Sequence, residues 1–213
     1  MQRLEVESKF ELSAEGFECL KHLGRIHQRE DQSNVYYDAQ GLLADNSVTL
    51  RIRFIRGGGP LLTLKIPVSH AGYQRVMREF ELRLPAHSAA PFHSPRPISI
   101  DIDRDLPEQW RKHLLGLRVR QVYRVGWVRN TRLLLSIDAL GQLELDRLEL
   151  PDGSVVYEAE IETDSQWAQE RLVELVRRHV PDAVPCAISK FQRFRQAATH
   201  ASRAATAAAV SSR

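Results

Sequence analysis

Residues 4–10 read LEVESKF, a stretch in which Glu5, Glu7 and Lys9 alternate with mostly apolar residues. Successive side chains of a β-strand point to opposite faces, so these three charged groups share one face. Alternation of this kind is typical of a strand that lies between a polar and an apolar environment. The stretch therefore predicts a strand with one charged face and one apolar face.

The same alternation recurs along the chain, with helices predicted between the alternating runs. Together these runs favour one mainly β, antiparallel domain of about eight strands, with helices at its edges. The predicted strands are 4–12, 48–55, 61–68, 76–84, 118–128, 133–145 and 155–163. The predicted helices begin at Ser13, at Pro107 and at Asp164 or Ser165, and a short last helix spans 186–195.

Composition restricts the class of protein. The 213 residues are 43% hydrophobic and 27% charged, as in globular proteins and unlike disordered or membrane-spanning chains. The charged N-terminus lacks the apolar segment of a signal peptide, which predicts a cytoplasmic protein with no membrane association. Cys19 and Cys186 have no metal-binding spacing and are predicted to be free thiols.

The C-terminal segment differs from the rest of the chain. The net charge is +3, and five bases follow the last acid, Asp182, so the preceding residues are slightly acidic. Without a basic face, binding to nucleic acid is not expected. We expect residues 1–196 to form the domain and residues 197–213, which are rich in Ala and Ser, to form a disordered tail.

Charged residues on the predicted strands divide by sign, with acids on three strands and bases on three others. A solvated face of an ordinary antiparallel sheet explains any one strand equally well. If the sheet closes into a barrel, however, these faces meet inside, where charges are costly unless ions pair with them. The acids are Glu5, Glu7, Glu79, Glu81, Glu158, Glu160 and Glu162, and the bases are Arg51, Arg53, Lys65, Arg118, Arg120 and Arg124.

A small-molecule triphosphate bound with a divalent metal fits such an interior. Paired carboxylates offer the hard oxygen ligands that Mg²⁺ or Mn²⁺ prefers. Lysine and arginine side chains neutralise the remaining phosphate charge, and arginine can do so through two hydrogen bonds at once.

The order of the motifs resembles the CYTH superfamily, also called triphosphate tunnel metalloenzymes. Residues 5–9 match the ExExK signature of that family, and the resemblance extends over residues 4–194. The later matching motifs are Tyr36-Tyr37-Asp38, LRIR at 50–53, LTLK at 62–65, Glu79-Phe80-Glu81, Tyr123-Arg124, Ile137-Asp138, Glu160-Ile161-Glu162 and Ser189-Lys190.

The resemblance implies a closed eight-stranded antiparallel β-barrel with a hydrophilic tunnel, and it implies roles for individual residues. Asp146 is an alternative to Asp138 as a metal ligand, and because Glu158 shares a face with Glu160 and Glu162, which pair of these glutamates coordinates the metal stays open. The implied metal ligands are Glu5, Glu7, Asp138, Glu160 and Glu162. The implied phosphate-binding residues are Lys9, Arg51, Arg53, Lys65, Arg124 and Lys190, with Glu79 and Glu81 lining the tunnel. The residues implied in catalysis are Glu5, Glu7, Lys9, Lys65 and Arg124.

The implied reaction is hydrolysis of the terminal phosphoanhydride of tripolyphosphate or of a nucleoside or thiamine triphosphate. Water activated by Mg²⁺ or Mn²⁺ would attack the terminal phosphorus. Two alternatives stay open at this point. One is an adenylate cyclase of class IV, which makes cyclic AMP from ATP, and the other is a polyphosphate- or nucleotide-binding module without catalytic activity.

Overall fold

The computed structural model describes residues 2–71, 74–85, 99–163 and 165–211, which contain ten strands and six helices. The strands are β1 (Gln2–Leu12), β2 (Arg25–Asp38), β3 (Thr49–Ile55), β4 (Leu61–Ala71), β5 (Gln74–Arg83), β6 (Ser99–Asp101), β7 (Gln121–Ile137), β8 (Gly141–Glu149), β9 (Val155–Glu162) and β10 (Val184–Pro185). The helices are α1 (Ala14–Lys21), α2 (Leu42–Asp45), α3 (Ile102–Asp105), α4 (Glu108–Gly116), α5 (Gln166–His179) and α6 (Lys190–Ser211). None of the helices in these ranges is long and apolar enough to cross a membrane.

Eight of the strands form a sheet that closes on itself. Hydrogen bonds join them in the order β1, β5, β4, β3, β2, β7, β8, β9, and β9 pairs again with β1. The short strands β6 and β10 add to β7 and β1. The closed eight-stranded antiparallel β-barrel that the sequence predicted is therefore confirmed, with two short extra strands.

The chain forms two compact units. Unit 1 comprises Met1–Glu5, Gln32–Ser69 and Val76–Trp127, and unit 2 comprises Val6–Asp31, His70–Arg75 and Val128–Arg213. Several strands, including β1, β2 and β7, begin in one unit and continue into the other. Each unit has a hydrophobic core of its own.

The core of unit 1 lies between its strands and α4. Leu50 and Ile52 of β3 belong to this core, together with Trp110 and Leu114 of α4. Phe80 of β5 packs against Trp110 with the two ring centroids 5.9 Å apart. Because alternate residues of β3 point to opposite faces, burial of Leu50 and Ile52 turns the intervening arginines to the other face.

The core of unit 2 is covered by α1 and α5. Ser13 caps α1, since its Oγ accepts a hydrogen bond from the backbone N–H of Gly16 at 3.0 Å. Ser165 caps α5 in the same way, and Leu172 on the buried face of α5 joins Phe10 of β1 in the core. The helix starts predicted at Ser13, Pro107 and Ser165 are confirmed.

The predicted break between strands 118–128 and 133–145 is wrong. β7 runs without interruption from Gln121 to Ile137, and the turn lies at Asp138–Leu140, inside the second predicted strand. Apolar residues alternate on both sides of this turn. Periodicity alone therefore joined the end of β7 and the start of β8 into one predicted strand, 133–145. The signal for the turn is the backbone conformation, since Asp138 and Gly141 have φ of +34° and +111°.

β2 was not predicted from the sequence. Its first residues read RIHQRE, without apolar alternation, and most of their side chains are exposed. A strand that buries little apolar surface carries no period-two hydrophobic signal. Only its last residues alternate between two environments, with Val35 and Tyr37 in the core of unit 1 and Asn34 and Tyr36 on the opposite face.

The last helix is longer than predicted, and it covers most of the segment expected to be disordered. α6 extends from Lys190 to Ser211, whereas the sequence predicted a helix at 186–195 and a disordered tail at 197–213. Alanine has the highest helix propensity of all residues, so an Ala-rich segment that follows a formed helix can continue it. Residues 212 and 213 lie outside the described residues.

Candidate functional site

The charged faces of the strands are buried. Glu5, Glu7 and Lys9 of β1 are between 2% and 7% exposed, and Arg51 and Arg53 of β3 are less than 10% exposed. A solvated face of an ordinary sheet would expose them. The interpretation as a solvated face is therefore excluded for these strands, and the buried charges require partners or ligands.

In unit 2, strand register brings acids from three strands together on one face. Lys9 of β1 lies opposite Glu160 of β9, and Glu160 lies opposite Glu144 of β8. Two residues away on the same two strands, Glu158 of β9 lies opposite Asp146 of β8. Residues directly opposite in an antiparallel pair have Cβ atoms about 5 Å apart and share a face. The register alone thus places several carboxyl groups within reach of one another.

Three of these acids converge. One carboxylate oxygen from each of Glu144, Asp146 and Glu160 lies within 4.8 Å of the oxygens from the other two. All three residues are less than 10% exposed, and Asp146 is completely buried. We call these three residues the acidic triad. A group of hard oxygen donors at this spacing is the donor set that Mg²⁺ or Mn²⁺ binds.

Two bases neutralise the acidic triad. Arg132 of β7 donates to Asp146 Oδ2 and to Glu160 Oε2 at 2.6 Å each, and it also pairs with Glu144. Lys190 Nζ lies 2.8 Å from Asp146 Oδ2 and forms a short contact with Glu160. Every acid of the triad therefore has a positive partner, which offsets part of the cost of burying it.

Lys190 owes its position to the start of α6. Ser189 Oγ accepts a hydrogen bond from the backbone N–H of Gln192, and Gln192 Oε1 accepts one from the backbone N–H of Ser189. This reciprocal pair is a capping box, which fixes where a helix begins. Lys190, the first residue of α6, is thereby held in a defined position beside the triad.

Lys9 occupies the centre of the same face. Its Nζ lies 3.2 Å from Glu160, 3.4 Å from Glu7 and 3.7 Å from Glu158, and it donates to the backbone carbonyl of Ile188 at 3.2 Å. Burial lowers the pKa of Lys9, but the three carboxylates outweigh burial and raise that pKa above its ordinary value. Lys9 therefore carries a positive charge at neutral pH.

The acids of the triad differ in their pKa values. Burial raises the pKa of Glu160, but the charges of Lys190, Lys9 and Arg132 outweigh it and hold that pKa well below the ordinary value. Burial also raises the pKa of Glu144, and there it outweighs the charge of Arg132, so the pKa stays raised. Glu160 is thus more firmly ionised than Glu144.

Arg193 of α6 binds the carboxylate oxygen of Glu158 that Lys9 does not approach. Its Nε donates to Glu158 Oε1 and its terminal nitrogen donates to Glu11 Oε2, both at 2.7 Å. Glu158 Oε2 lies 3.2 Å from Lys190 Nζ and Glu7 Oε1 lies 3.4 Å from Lys9 Nζ, but neither buried oxygen accepts a hydrogen bond among the described residues. These two oxygens therefore keep lone pairs that a bound cation or a donor of a ligand could use.

Unit 1 contains a second set of buried charges. Lys65 Nζ contacts both oxygens of Glu5 at 2.5 Å and lies 3.3 Å from Glu79, which Arg3 also approaches at 2.6 Å. Burial raises the pKa of Glu79, but Lys65, Arg51 and Arg3 outweigh it and lower that pKa to about 2. The carboxylate of Glu79 is therefore firmly ionised.

Arginines form the rest of this set. Arg53 Nε donates to Asn34 Oδ1 at 2.9 Å, and Arg51 lies on the same face of β3. Burial raises the pKa of Tyr37, while the nearby positive charge of Arg124 acts in the opposite direction. Arg124 and Glu81 are half-buried.

Most predicted site residues fall into one of these two sets. Unit 2 brings together Glu7, Lys9, Glu160 and Lys190, and Glu162 lies half-buried opposite Glu7. Unit 1 brings together Glu5, Lys65 and Glu79, with Arg51, Arg53 and Arg124 among its polar residues. Their roles as metal ligands, phosphate-binding residues or tunnel-lining residues stay predictions.

Asp138 does not join the acids. It is exposed in the turn between β7 and β8, whereas Asp146, the alternative ligand, is buried in the triad. The structure thus places Asp146, and not Asp138, beside Glu160. The misplaced strand boundary is the physical reason, because the motif Ile137-Asp138 was assigned to the interior of a strand that ends there.

Sequence reasoning missed Glu144 and Arg132. Glu144 and Asp146 are an i, i+2 acidic pair on β8, the same signal that identified Glu5 and Glu7. Arg132 shares the face of Asn130 on β7, but it fell between two predicted strands. Correct bounds for β7 and β8 would have revealed both residues. Cys19 and Cys186 are free thiols, as predicted.

Comparisons with known proteins agree with this fold. A model of the CYTH domain matches residues 3–194. A candidate adenylyl cyclase from Hippeastrum, which has a dominant triphosphatase activity, is 24% identical with a TM-score of 0.72, over 90% of this chain and 95% of that chain. A candidate adenylate cyclase from Bacillus halodurans is 23% identical with a TM-score of 0.68, over 91% of this chain and 98% of that chain.

A third similar structure is the PH1819 protein from Pyrococcus horikoshii, which is 16% identical with a TM-score of 0.55, over 91% of this chain and 98% of that chain. At these identities the structures support the fold. Among curated proteins, none matches this chain. The CYTH domain model covers all but the ends of the sequence and includes both charged sets, and the chain therefore belongs to the CYTH domain family.

Proposed function

We propose that this protein hydrolyses the terminal phosphoanhydride of a triphosphate in the presence of Mg²⁺ or Mn²⁺. The substrate class comprises inorganic tripolyphosphate, nucleoside triphosphates and thiamine triphosphate. The observation that carries the proposal is the acidic triad, in which three buried carboxylates converge within 4.8 Å beside Lys9, Arg132 and Lys190. The CYTH family includes triphosphatases and adenylate cyclases, which supports an enzyme that acts on triphosphates.

The residues of unit 2 fit a divalent cation. Glu144, Asp146 and Glu160 offer hard oxygen ligands, and Glu7 Oε1 and Glu158 Oε2 nearby are further buried carboxylate oxygens, which pair with Lys9 and Lys190. We assign the triad as the ligands and keep Glu7 as a further candidate. The bound cation would supply positive charge that polarises a phosphoryl group and activates water.

The side chains of this unit would act on the phosphates electrostatically. Lys9 and Lys190 carry fixed positive charges, since their pKa values are raised by the surrounding acids and their positions are set by Ile188 and by the capping box. Such preorganised charges stabilise the negative charge that develops on the transferred and leaving phosphates. No protein nucleophile is required, because phosphoryl transfer depends mainly on positioning and electrostatics.

Arg132 has a different task. It bridges all three acids of the triad, so it holds their carboxylates in one arrangement before any ligand binds. Arg51, Arg53, Lys65 and Arg124 of unit 1 are proposed to bind phosphate groups, as the family resemblance implies. Glu79 would orient Lys65 for that purpose, since the two side chains are 3.3 Å apart.

Two other functions use the same residues. An adenylate cyclase would direct the ribose hydroxyl of ATP at the α-phosphorus and release cyclic AMP and pyrophosphate. A binding module would need the bases but not the acidic triad. The burial of three acids at a cost in stability favours a catalytic role over simple binding.

Phosphate release from tripolyphosphate, ATP and thiamine triphosphate with Mg²⁺ or Mn²⁺ tests the proposal, with cyclic AMP assayed in the ATP reactions. Asp146→Asn should lower the metal-dependent rate on the order of a hundredfold or more, because it removes a charge from the proposed ligand set. Asp138→Asn is the matched control, since asparagine tolerates its positive φ, and it should leave the rate unchanged. Full activity of Asp146→Asn at saturating metal contradicts the proposal, whereas cyclic AMP as the main product favours the cyclase.

A further inference from the structure

Among the buried polar atoms of unit 1 without a hydrogen-bond partner in the described residues are three on the neighbouring strands β2, β3 and β4. They are Arg51 Nε, Asn34 Nδ2 and Thr63 Oγ1. Asn34 and Thr63 are 0% exposed and Arg51 is 6% exposed, so bulk water does not solvate them. Buried polar groups in proteins almost always have a partner, and those that lack one point to a bound ion, water or ligand.

Strand register places the three side chains on one face. Arg51 lies directly opposite Thr63, and Asn34 lies opposite Arg53, two residues from Arg51. Directly opposite residues have Cβ atoms about 5 Å apart, and diagonal neighbours are about 7–8 Å apart. One group of atoms can therefore contact all three side chains.

The orientation of Asn34 is fixed by Arg53. Asn34 Oδ1 accepts a hydrogen bond from Arg53 Nε at 2.9 Å, so the acceptor end of the amide is occupied and the donor end is the one without a partner. Arg51 Nε is also a donor, and the hydroxyl of Thr63 can donate. The three atoms together call for a ligand that presents acceptors only.

The charge of this face decides which acceptor fits. Arg51 and Arg53 are positive and buried, and Arg53 is held by a neutral amide. A tetrahedral phosphoryl group carries negative charge and several acceptor oxygens, and arginine binds it with favourable geometry. Arg51 already interacts with the nearby carboxylate of Glu79, so the several acceptor oxygens of a phosphoryl group, as well as its charge, suit this face.

We propose that Asn34, Thr63 and Arg51 form a subsite for one phosphoryl group of a polyphosphate, in which the two neutral donors set the orientation of that group. The inference rests on the proposed function and deepens it, because it assigns substrate-binding roles to Asn34 and Thr63. Neither residue carries a charge, so neither was selected by the alternation of charged residues.

Binding of tripolyphosphate in the presence of EDTA, measured by titration calorimetry, tests the subsite without turnover. Thr63→Val preserves shape and removes the hydroxyl, and it should weaken binding about tenfold or more. Asn34→Asp keeps the acceptor for Arg53 but replaces the donor with a charged oxygen, so it should weaken binding further. Thr131→Val is the matched control, because Thr131 Oγ1 lies 3.3 Å from an oxygen of Asp31 and outside this face, and it should leave binding unchanged.

Thermal unfolding without ligand separates binding from a structural role. Removing an unsatisfied buried hydroxyl should leave the melting temperature of Thr63→Val equal to or above that of the wild type. A lower melting temperature together with unchanged tripolyphosphate affinity shows that Thr63 is structural and overturns the inference. Affinity equal to wild type in both Thr63→Val and Asn34→Asp overturns it as well.

The outcomes also separate this inference from the proposed function. If no triphosphate is hydrolysed but wild-type protein binds tripolyphosphate and Thr63→Val does not, the subsite stands and the hydrolase fails. If phosphate is released at wild-type KM by Thr63→Val and Asn34→Asp, the hydrolase stands and the subsite fails. Wild-type protein that does not bind tripolyphosphate in EDTA overturns the subsite.

Discussion

Glu79 should make the stability of the protein depend on pH below about 5. Its side chain is 2% exposed and lies near Lys65 and Arg3. In the folded protein its pKa is held at about 2, whereas an ordinary glutamate has a pKa of 4.5. The carboxylate is thus bound more favourably in the folded state than in the unfolded chain, by about 3 kcal/mol at most.

The sign follows from the direction of the pKa change. Because the folded pKa is the lower one, the contribution of Glu79 is fully present above pH 4.5 and is lost as the pH falls towards 2. Glu79→Gln, which keeps the volume and removes the charge, should therefore destabilise the protein by about 2 to 3 kcal/mol at pH 7. Near pH 2 the difference from the wild type should disappear.

Urea unfolding of both proteins at several pH values measures this difference. Glu81→Gln is the matched control, since Glu81 lies two residues along the same face of β5 but is only half-buried. It should change the free energy of unfolding by less than Glu79→Gln does. A destabilisation by Glu79→Gln that is the same at pH 7 and near pH 2 would refute an electrostatic role, because only loss of packing acts equally at both.

Two further substitutions test the placement of the site and the core. Glu160→Gln should raise the concentration of Mg²⁺ or Mn²⁺ needed for half-maximal activity about tenfold or more, and Glu162→Gln should raise it less, because Glu162 is half-buried and lies opposite Glu7. A larger effect of Glu162→Gln than of Glu160→Gln would show that the metal site lies two residues further along β9 than we propose. Gly24→Ala should destabilise the protein by about 1 to 3 kcal/mol, since its Cβ would lie 2.4 Å from the backbone oxygen of Ser136. Gly116→Ala is the control, because a Cβ at Gly116 would meet no atom within 4 Å. Equal melting temperatures of the two variants would contradict the close approach of Gly24 to Ser136.

The strands that bury one apolar face were predictable from the sequence. Alternation located β1, β3, β4, β5 and β9 to within a few residues, because each of these strands separates a hydrophobic core from a charged face. It failed for β2, whose first half is exposed on most positions. Periodicity detects a difference between two faces, and a strand whose faces are alike provides none.

The sequence predicted the type of site, a cluster of buried acids and bases, but only some of the residues that form it. The acids of β1 and β9 follow from parity, and Lys190 followed from the family resemblance. Glu144 depends on the bounds of β8, and Asp146 was separated from Asp138 only by the position of one turn. Which acids meet is decided by strand register, which a single sequence does not contain.

The register of unit 2 also indicates that these acids do not serve stability. Four pairs of carboxylates lie directly opposite each other: Glu7 and Glu162, Glu11 and Glu158, Glu144 and Glu160, and Asp146 and Glu158. Like charges directly opposite each other destabilise a sheet. Lys9, Arg132, Lys190 and Arg193 offset this repulsion, but apolar residues of similar volume would avoid it altogether. A fold that keeps four such pairs in one small region accepts a loss of stability, and a site for a divalent cation is the use that this arrangement of oxygens best supports.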